Sequence, residues 1–261
     1  MSATVWALSL AHEIGGSPEG LAAALARLST GLSEAEADRL CGYRRPEDAL
    51  RFAAGRALVR SLVLDVQDQA APHPVRAKDI VFGQRRGTTK PVLAEQCRGL
   101  VRGVADFNIS HDGDWVLAGV AGRGAIGVDV ARVFCPEDMG DREYIGEFET
   151  QLSAREAAWL LERSTDRLRD FYRIWTAKEA YVKATGAGIA AIDLRTIDVA
   201  LPHAGKAMCV QAGGEDAPFA FETGVLGDGG YVFCVASAPG VARAIRTVGI
   251  GDVERCLIPA R

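Results

Sequence analysis

No two cysteines of this sequence stand close enough along the chain to act as a pair. Cys41, Cys97, Cys135, Cys209, Cys234 and Cys256 are scattered, with no C-x-x-C, which excludes a zinc-ribbon spacing and a compact disulfide framework. Reduced thiols and a cytoplasmic location are the expectation, with Cys234 inside YVFCVA a small core hydrophobe. No uncharged apolar run reaches the ~18 residues of a membrane span. The opening MSATVWALSLAHEIGG lacks the charged start and clean apolar stretch of a signal peptide. Internal repeats and low-complexity tracts are also missing. Nor does one sign of charge dominate: 30 Lys and Arg stand against 34 Asp and Glu, which argues against a general nucleic-acid binder. What is present is an ordinary globular composition, 48% hydrophobic and 25% charged over 261 residues. That length suits one large domain or two of similar size.

Local signals divide the chain. Val5 to Ala11 reads as an opening strand, and Ser17-Pro18 starts a helix running to Leu28. Ser33 and Glu36 form a capping box for a short helix that ends near Gly42. From Pro46 to about Leu64, Leu50, Ala53, Ala54, Ala57, Leu58 and Leu62 recur at helical spacing, predicting a long amphipathic helix. Short strands follow at Ile80–Gly83, Val92–Leu93, Phe107–Ser110, Trp115–Ala121 and Ala125–Val133, with turns at Asp112-Gly113 and Gly122–Gly124. Helices are expected around Asp141–Phe148, from Ser153 to Glu162 and from Asp166 to about Ala184. Leu194 to Ala236 then alternates short strands with glycine-rich turns. The segment after Pro239 shows no strong signal. Strand, helix and strand segregate in both halves about a seam near Gly122, which points to an α+β class. The division is 1–122 for an N-terminal lobe, 123–240 for a C-terminal lobe and 241–261 for a tail.

Four places could carry chemistry. Between Arg39 and Arg60 lie six arginines against Glu47 and Asp48, and Arg85, Arg86 and Lys90 follow. Such a stretch is a solvated helix face or a seat for a small polyanion such as a phosphate ester. Asp129 interrupts the apolar strand AIGVDVA, sharing a face with Gly127 and Ala131, where small neighbours leave room for a ligand or ion. In the Asp166–Ala184 helix, Glu179 falls one turn after Trp175 and one turn before Lys183. It is a surface pair with Lys183 or a metal carboxylate beside a cation. Ser110-His111-Asp112 is too contiguous for a catalytic triad. It is an Asx turn or a loop presenting a hydroxyl and an imidazole to phosphate.

Together these segments resemble the 4'-phosphopantetheinyl transferases, of the longer Sfp type. Gly127-Val128-Asp129 matches the family's G-I/V-D strand. Trp175, Lys178, Glu179 and Lys183 match its W-x-x-K-E-x-x-x-K helix. Lys90-Pro91, Asn108-Ile109-Ser110-His111 and Gly55-Arg56 match its upstream motifs, so the likeness runs from about Arg39 to Gly188.

The resemblance implies two similar α+β lobes related by a pseudo-twofold, with coenzyme A in the cleft between them. It also implies transfer of the 4'-phosphopantetheine arm to a serine of an apo acyl or peptidyl carrier protein, with release of adenosine 3',5'-bisphosphate. Mg²⁺ is the implied ion, on Asp129 and Glu179. Lys183, Lys90, His111 and Ser110 would hold phosphate oxygens, and Arg39, Arg56 and Arg85 the nucleotide end. Many bacterial members carry an acid where this chain has Ala131, so Asp112, or a water, is the replacement ligand. Glu156 matches a position proposed for the general base, with helix capping as its plainer role and Glu179 as another base. A chain with both lobes is expected to act as a monomer, with no membrane or nucleic-acid partner. Competing functions are a non-catalytic coenzyme A or carrier-binding module and a nucleotide hydrolase.

Overall fold

Ser17, Ser33 and Ser153 each turn a side-chain oxygen onto the backbone N–H of the third residue that follows, at Gly20, Glu36 and Glu156. These caps satisfy donors that a helix start otherwise leaves orphaned, and they fix where three helices begin. The computed structural model describes residues 2–67, 75–84, 88, 90–97, 99–201, 208–241 and 243–257. The described residues of 1–86, 90–125 and 241–261 form one compact unit, and those of 87–89 and 126–240 form the other.

In the first unit, strand β1 (Ala3–Ser9) stops before the expected Ala11, because Leu10 opens a short helix, α1 (Leu10–Ile14). Gly15, at φ 56°, ends it. Helices α2 (Pro18–Leu28), α3 (Glu34–Cys41) and α4 (Pro46–Asp65) follow. Next come the short strands β2 (Phe82–Gln84) and β3 (Pro91–Leu93), then the hairpin β4 (Asp106–Asp112) and β5 (Trp115–Ala121).

The second unit opens with β6 (Ile126–Arg132). Three helices follow it: α5 (Asp141–Gly146), α6 (Ala154–Glu162) and α7 (Arg167–Thr185). Its remaining strands are β7 (Ile197–Ala200), β8 (Cys209–Ala212), β9 (Glu215–Asp216), β10 (Ala220–Leu226) and β11 (Tyr231–Ser237). The chain then re-enters the first unit as β12 (Arg243–Val248) and α8 (Ile250–Leu257).

The main sheet of the first unit has the order β12-β1-β5-β4. β1 runs antiparallel to β5 and parallel to β12, with Val5 opposite both Gly119 and Ile245. In the second unit β6 is the edge of a three-stranded antiparallel sheet, β10-β11-β6. α7 lies on β6 and β11, and its Phe171, Ile174, Ala177 and Ala180 join Cys234 and Ala236 in the core. Both units therefore combine sheet, mixed in the first and antiparallel in the second, with packed helices, an α+β construction.

Helix α4 departs from its expected amphipathic form. Every residue from Ala53 to Leu64 except Arg56 is buried. The sheet covers one side, and α2 and α8 cover the other; Ser61 Oγ donates to the Val253 carbonyl at 3.0 Å. The arginines of α4 are thus not on a solvated face. Among the described residues no helix is long and apolar enough to cross a membrane.

Candidate active site

Gly127 decides how closely α7 can approach β6. A Cβ placed on it would stand 1.9 Å from the Ala180 carbonyl oxygen and 2.6 Å from Ala184 N. Both are backbone atoms that cannot rotate away. Strand alternation then turns Asp129, two residues on, toward the same helix. Asp129 is buried, and Lys183 Nζ meets its Oδ1 at 2.5 Å. Glu179, one turn earlier on α7 and half-buried, shares the group. Burial first, and the Asp129 charge second, push its carboxyl above the usual range, against the pull of Lys183. Two carboxylates that feel one another's charge, with one ammonium between strand and helix, are hard oxygen donors in the number that Mg²⁺ takes from protein before adding phosphate oxygens. Among the described residues no cluster of three or more His, Cys, Asp or Glu is gathered for a metal. Ala131 is buried on the same strand.

Close packing at Gly127 carries its own expectation. Gly127→Ala should push α7 off β6, lowering the melting temperature and cutting turnover by about 10² through misplacement of Glu179 and Lys183. A variant that melts and turns over like the parent would remove this account.

Lys178, beside Glu179 in sequence, belongs to a different structure. Its side chain is 1% exposed, as is that of Glu156, and the two meet at 2.6 Å. Lys178 Nζ also donates to the Gln151 and Leu194 carbonyls at 2.7 and 2.9 Å. Glu156 Oε2 accepts from Ser153 N at 2.7 Å, and Oε1 from Val199 N at 2.8 Å. Burial pushes the Glu156 carboxyl up and the Lys178 ammonium down, while their mutual attraction works against both shifts. The pair ties α6, α7 and β7 together, and both Glu156 oxygens are engaged in it.

In the first unit, α3, α4 and β2 build a stack of alternating cations and rings. The Arg39 guanidinium lies 5.1 Å from the Phe52 ring centre, and Arg56 lies 5.3 Å from Phe52 and 4.8 Å from Phe82. Arg60 lies 4.7 Å from Phe82 on its other contact. Glu36, besides capping α3, pairs with Arg60 at 2.6 Å and with Arg56 at 3.4 Å. Arg60 Nε also donates to the Ala77 carbonyl at 3.2 Å. Burial alone would raise the Glu36 carboxyl, but its hydrogen bonds with Arg60 and with Ser33 hold it below its usual range. Lys90 Nζ meets Asp106 Oδ2 at 2.5 Å, both largely buried. Ser110 is buried in β4, whereas His111 and Asp112 are exposed at its end. Arg85 lies outside the described residues.

The structure thus gathers Asp129, Glu179 and Lys183 in one group and Arg39 and Arg56 in another, while Glu156 is joined to Lys178 instead. Sequence reasoning missed Phe52 and Phe82 altogether, and it took Ser33-x-x-Glu36 for a cap alone. The four-residue spacing of Phe52, Arg56 and Arg60 was the available signal, since it places all three on one side of α4.

Two family profiles divide the chain between them. "4'-phosphopantetheinyl transferase, N-terminal" matches residues 19–122, and "4'-phosphopantetheinyl transferase superfamily" matches residues 125–236. A phosphopantetheinyl transferase of Thraustochytrium sp. is 33% identical over 234 residues, which cover 85% of this chain and 74% of that protein. The 4'-phosphopantetheinyl transferase ffp of Bacillus subtilis is 30% identical over 221 residues, covering 79% of this chain and 88% of that one. The L-aminoadipate-semialdehyde dehydrogenase-phosphopantetheinyl transferase of Mus musculus is 25% identical over 219 residues, covering 80% and 68%. With a match in each half and relatives aligned across most of their length, the chain belongs to the 4'-phosphopantetheinyl transferases of the two-lobe type and is an enzyme of that family.

Proposed function

We propose that this chain transfers the 4'-phosphopantetheine arm of coenzyme A to a serine hydroxyl of an apo acyl or peptidyl carrier protein, in a Mg²⁺-dependent reaction. The serine oxygen bonds to the phosphorus on the pantetheine side of the pyrophosphate. The bridging oxygen leaves with adenosine 3',5'-bisphosphate, and the hydroxyl proton is released to solvent water. The observation that carries this reading is the group of Asp129, Glu179 and Lys183, set where a glycine lets helix and strand close together.

Asp129 and Glu179 would hold Mg²⁺, and Asp112 or a water would supply the ligand that Ala131 lacks. When bound, such an ion would supply positive charge to offset the charge that builds on the pyrophosphate. Lys183, already within hydrogen-bond distance of Asp129, offers an ammonium to a phosphate oxygen from the same turn of helix. By the family pattern Lys90, Ser110 and His111 take further phosphate oxygens, and Arg39, Arg56 and Arg85 take the nucleotide end. Glu156 is assigned to holding α7 in place, since both of its oxygens already have partners. No disulfide joins the six cysteines among the described residues, which suits a reducing, cytoplasmic setting, and we take the enzyme to work as a monomer.

A panel of apo carrier proteins incubated with coenzyme A and Mg²⁺ should each gain the mass of one phosphopantetheine arm by mass spectrometry. No addition to any of them would sink the transferase reading. Breakdown of coenzyme A in the absence of a carrier protein would point to a hydrolase.

A further inference from the structure

Two of the three stacked guanidiniums of the first unit, those of Arg56 and Arg60, share the Glu36 carboxylate, and Arg39 lies against Phe52. Of these, Arg60 is compensated: its side chain is 1% exposed, with Glu36 at 2.6 Å and the Ala77 carbonyl as a second acceptor. Arg39 is exposed to water. Arg56 lies between the two in burial, and its contact with Glu36, at 3.4 Å, is too long for a strong charge-assisted hydrogen bond. Its Nη1 is buried and has no hydrogen-bond partner among the described residues, a state shared by Glu36 Oε1 and Arg60 Nη1. A buried donor left so is rare enough to require a reason.

We infer that Phe52 and Phe82, with Glu36, are positioning residues that fix the Arg56 guanidinium for a phosphate of coenzyme A. The inference rests on the assignment of Arg56 given above. Rings attract a cation through the π-face and use up none of its N–H donors. A second carboxylate would hold Arg56 as firmly, but it would occupy the atoms a phosphate needs. With Phe52 and Phe82 both against the guanidinium and Nε turned to Glu36, the Nη atoms are the ones that neither the rings nor the carboxylate use. The side chain also gives up its rotamer freedom during folding instead of on binding. A lysine at this position has no planar group to rest on the rings. Arg56→Lys should therefore resemble Arg56→Met far more than a conservative change would.

The test uses the whole chain and calorimetric titration with coenzyme A and with its 3'-dephospho form. It adds kcat and KM for coenzyme A and for a carrier protein. Phe82→Leu keeps an apolar side chain and removes the ring. It should weaken coenzyme A binding about 3- to 30-fold, the range a desolvated cation–π contact covers. The carrier KM and kcat should stay within about twofold, and Phe82→Tyr should restore binding. If Phe82→Leu does not fold, Phe52→Leu, at a half-buried position, puts the same question.

Arg56→Met separates the two readings. If it leaves coenzyme A binding unchanged, the assignment of Arg56 fails. If it weakens binding while Phe82→Leu does not, or if Phe82→Tyr is as weak as Phe82→Leu, the positioning role is overturned and Arg56 keeps its own. A loss confined to coenzyme A assigns the guanidinium to the 3'-phosphate, and an equal loss with the dephospho form assigns it to the pyrophosphate. Both of these support the inference.

Discussion

Asp129→Asn and Glu179→Gln should each cut transfer by about 10²–10⁴ while leaving the melting temperature at or slightly above that of the parent. The two halves of this expectation have one cause. Burial raises the Glu179 carboxyl, and Asp129 lies close enough to raise it further. Neutralising either one relieves repulsion that the fold otherwise bears. Lys183 loses a partner in Asp129→Asn, but its side chain is 27% exposed and can turn to water at little cost. Activity should fall because, on the proposed assignment, half of the fixed negative charge that would hold the ion is removed. Thermal unfolding and carrier-protein mass spectrometry, run on the same preparations, check both halves. Near-normal turnover at low Mg²⁺ in either variant would refute the metal assignment.

The second large effect concerns stability instead of rate. Lys178→Met and Glu156→Leu each leave one charge stranded in the core, and each should destabilise by about 3–5 kcal/mol. The double variant should be more stable than either single one, since no unpaired charge remains. Denaturant unfolding measures all three. The same proteins bear on the role of Glu156. As a general base its loss would remove turnover and spare the fold, whereas as the anchor of Lys178 its loss should weaken the fold first. Single variants that unfold at the parent's denaturant concentration would show that the pair does not hold α6, α7 and β7 together.

Much of the local structure was readable before any coordinates. Pro18–Leu28 is observed with the boundaries its cap and proline predict, and both capping boxes form as their spacing implies. Asp129 and Glu179 stood out because each breaks a local pattern, a carboxylate in an apolar strand or on the edge of an apolar helix stripe, but only the family resemblance joined them with Lys183 in one group. What stayed hidden depends on contacts far apart in sequence. The burial of α4 on all sides needs α8, nearly two hundred residues later. β12 alternates charged with small or apolar residues, so RAIRTV looks like surface until it is seen beside β1. Periodicity sets Lys178 next to Glu179, but it cannot say that Lys178 finds its carboxylate on α6.

The parallel pairing of β1 with β12 also sets an order of events during synthesis. Residues 126–240 are complete, with their own sheet and core, before the ribosome has made the last strand and helix of the first unit. The usual sequence, in which the amino-terminal part of a chain folds first as it emerges, is therefore not open to this one. Until residues 243–257 are released, β1 presents an unpaired edge and α4 an uncovered apolar flank. Both are surfaces on which a nascent chain aggregates or recruits a chaperone. A stop codon just past Ser237 would make that interval permanent. It would leave the Asp129 helix–strand unit whole and Arg39 and Arg56 on a half-built support.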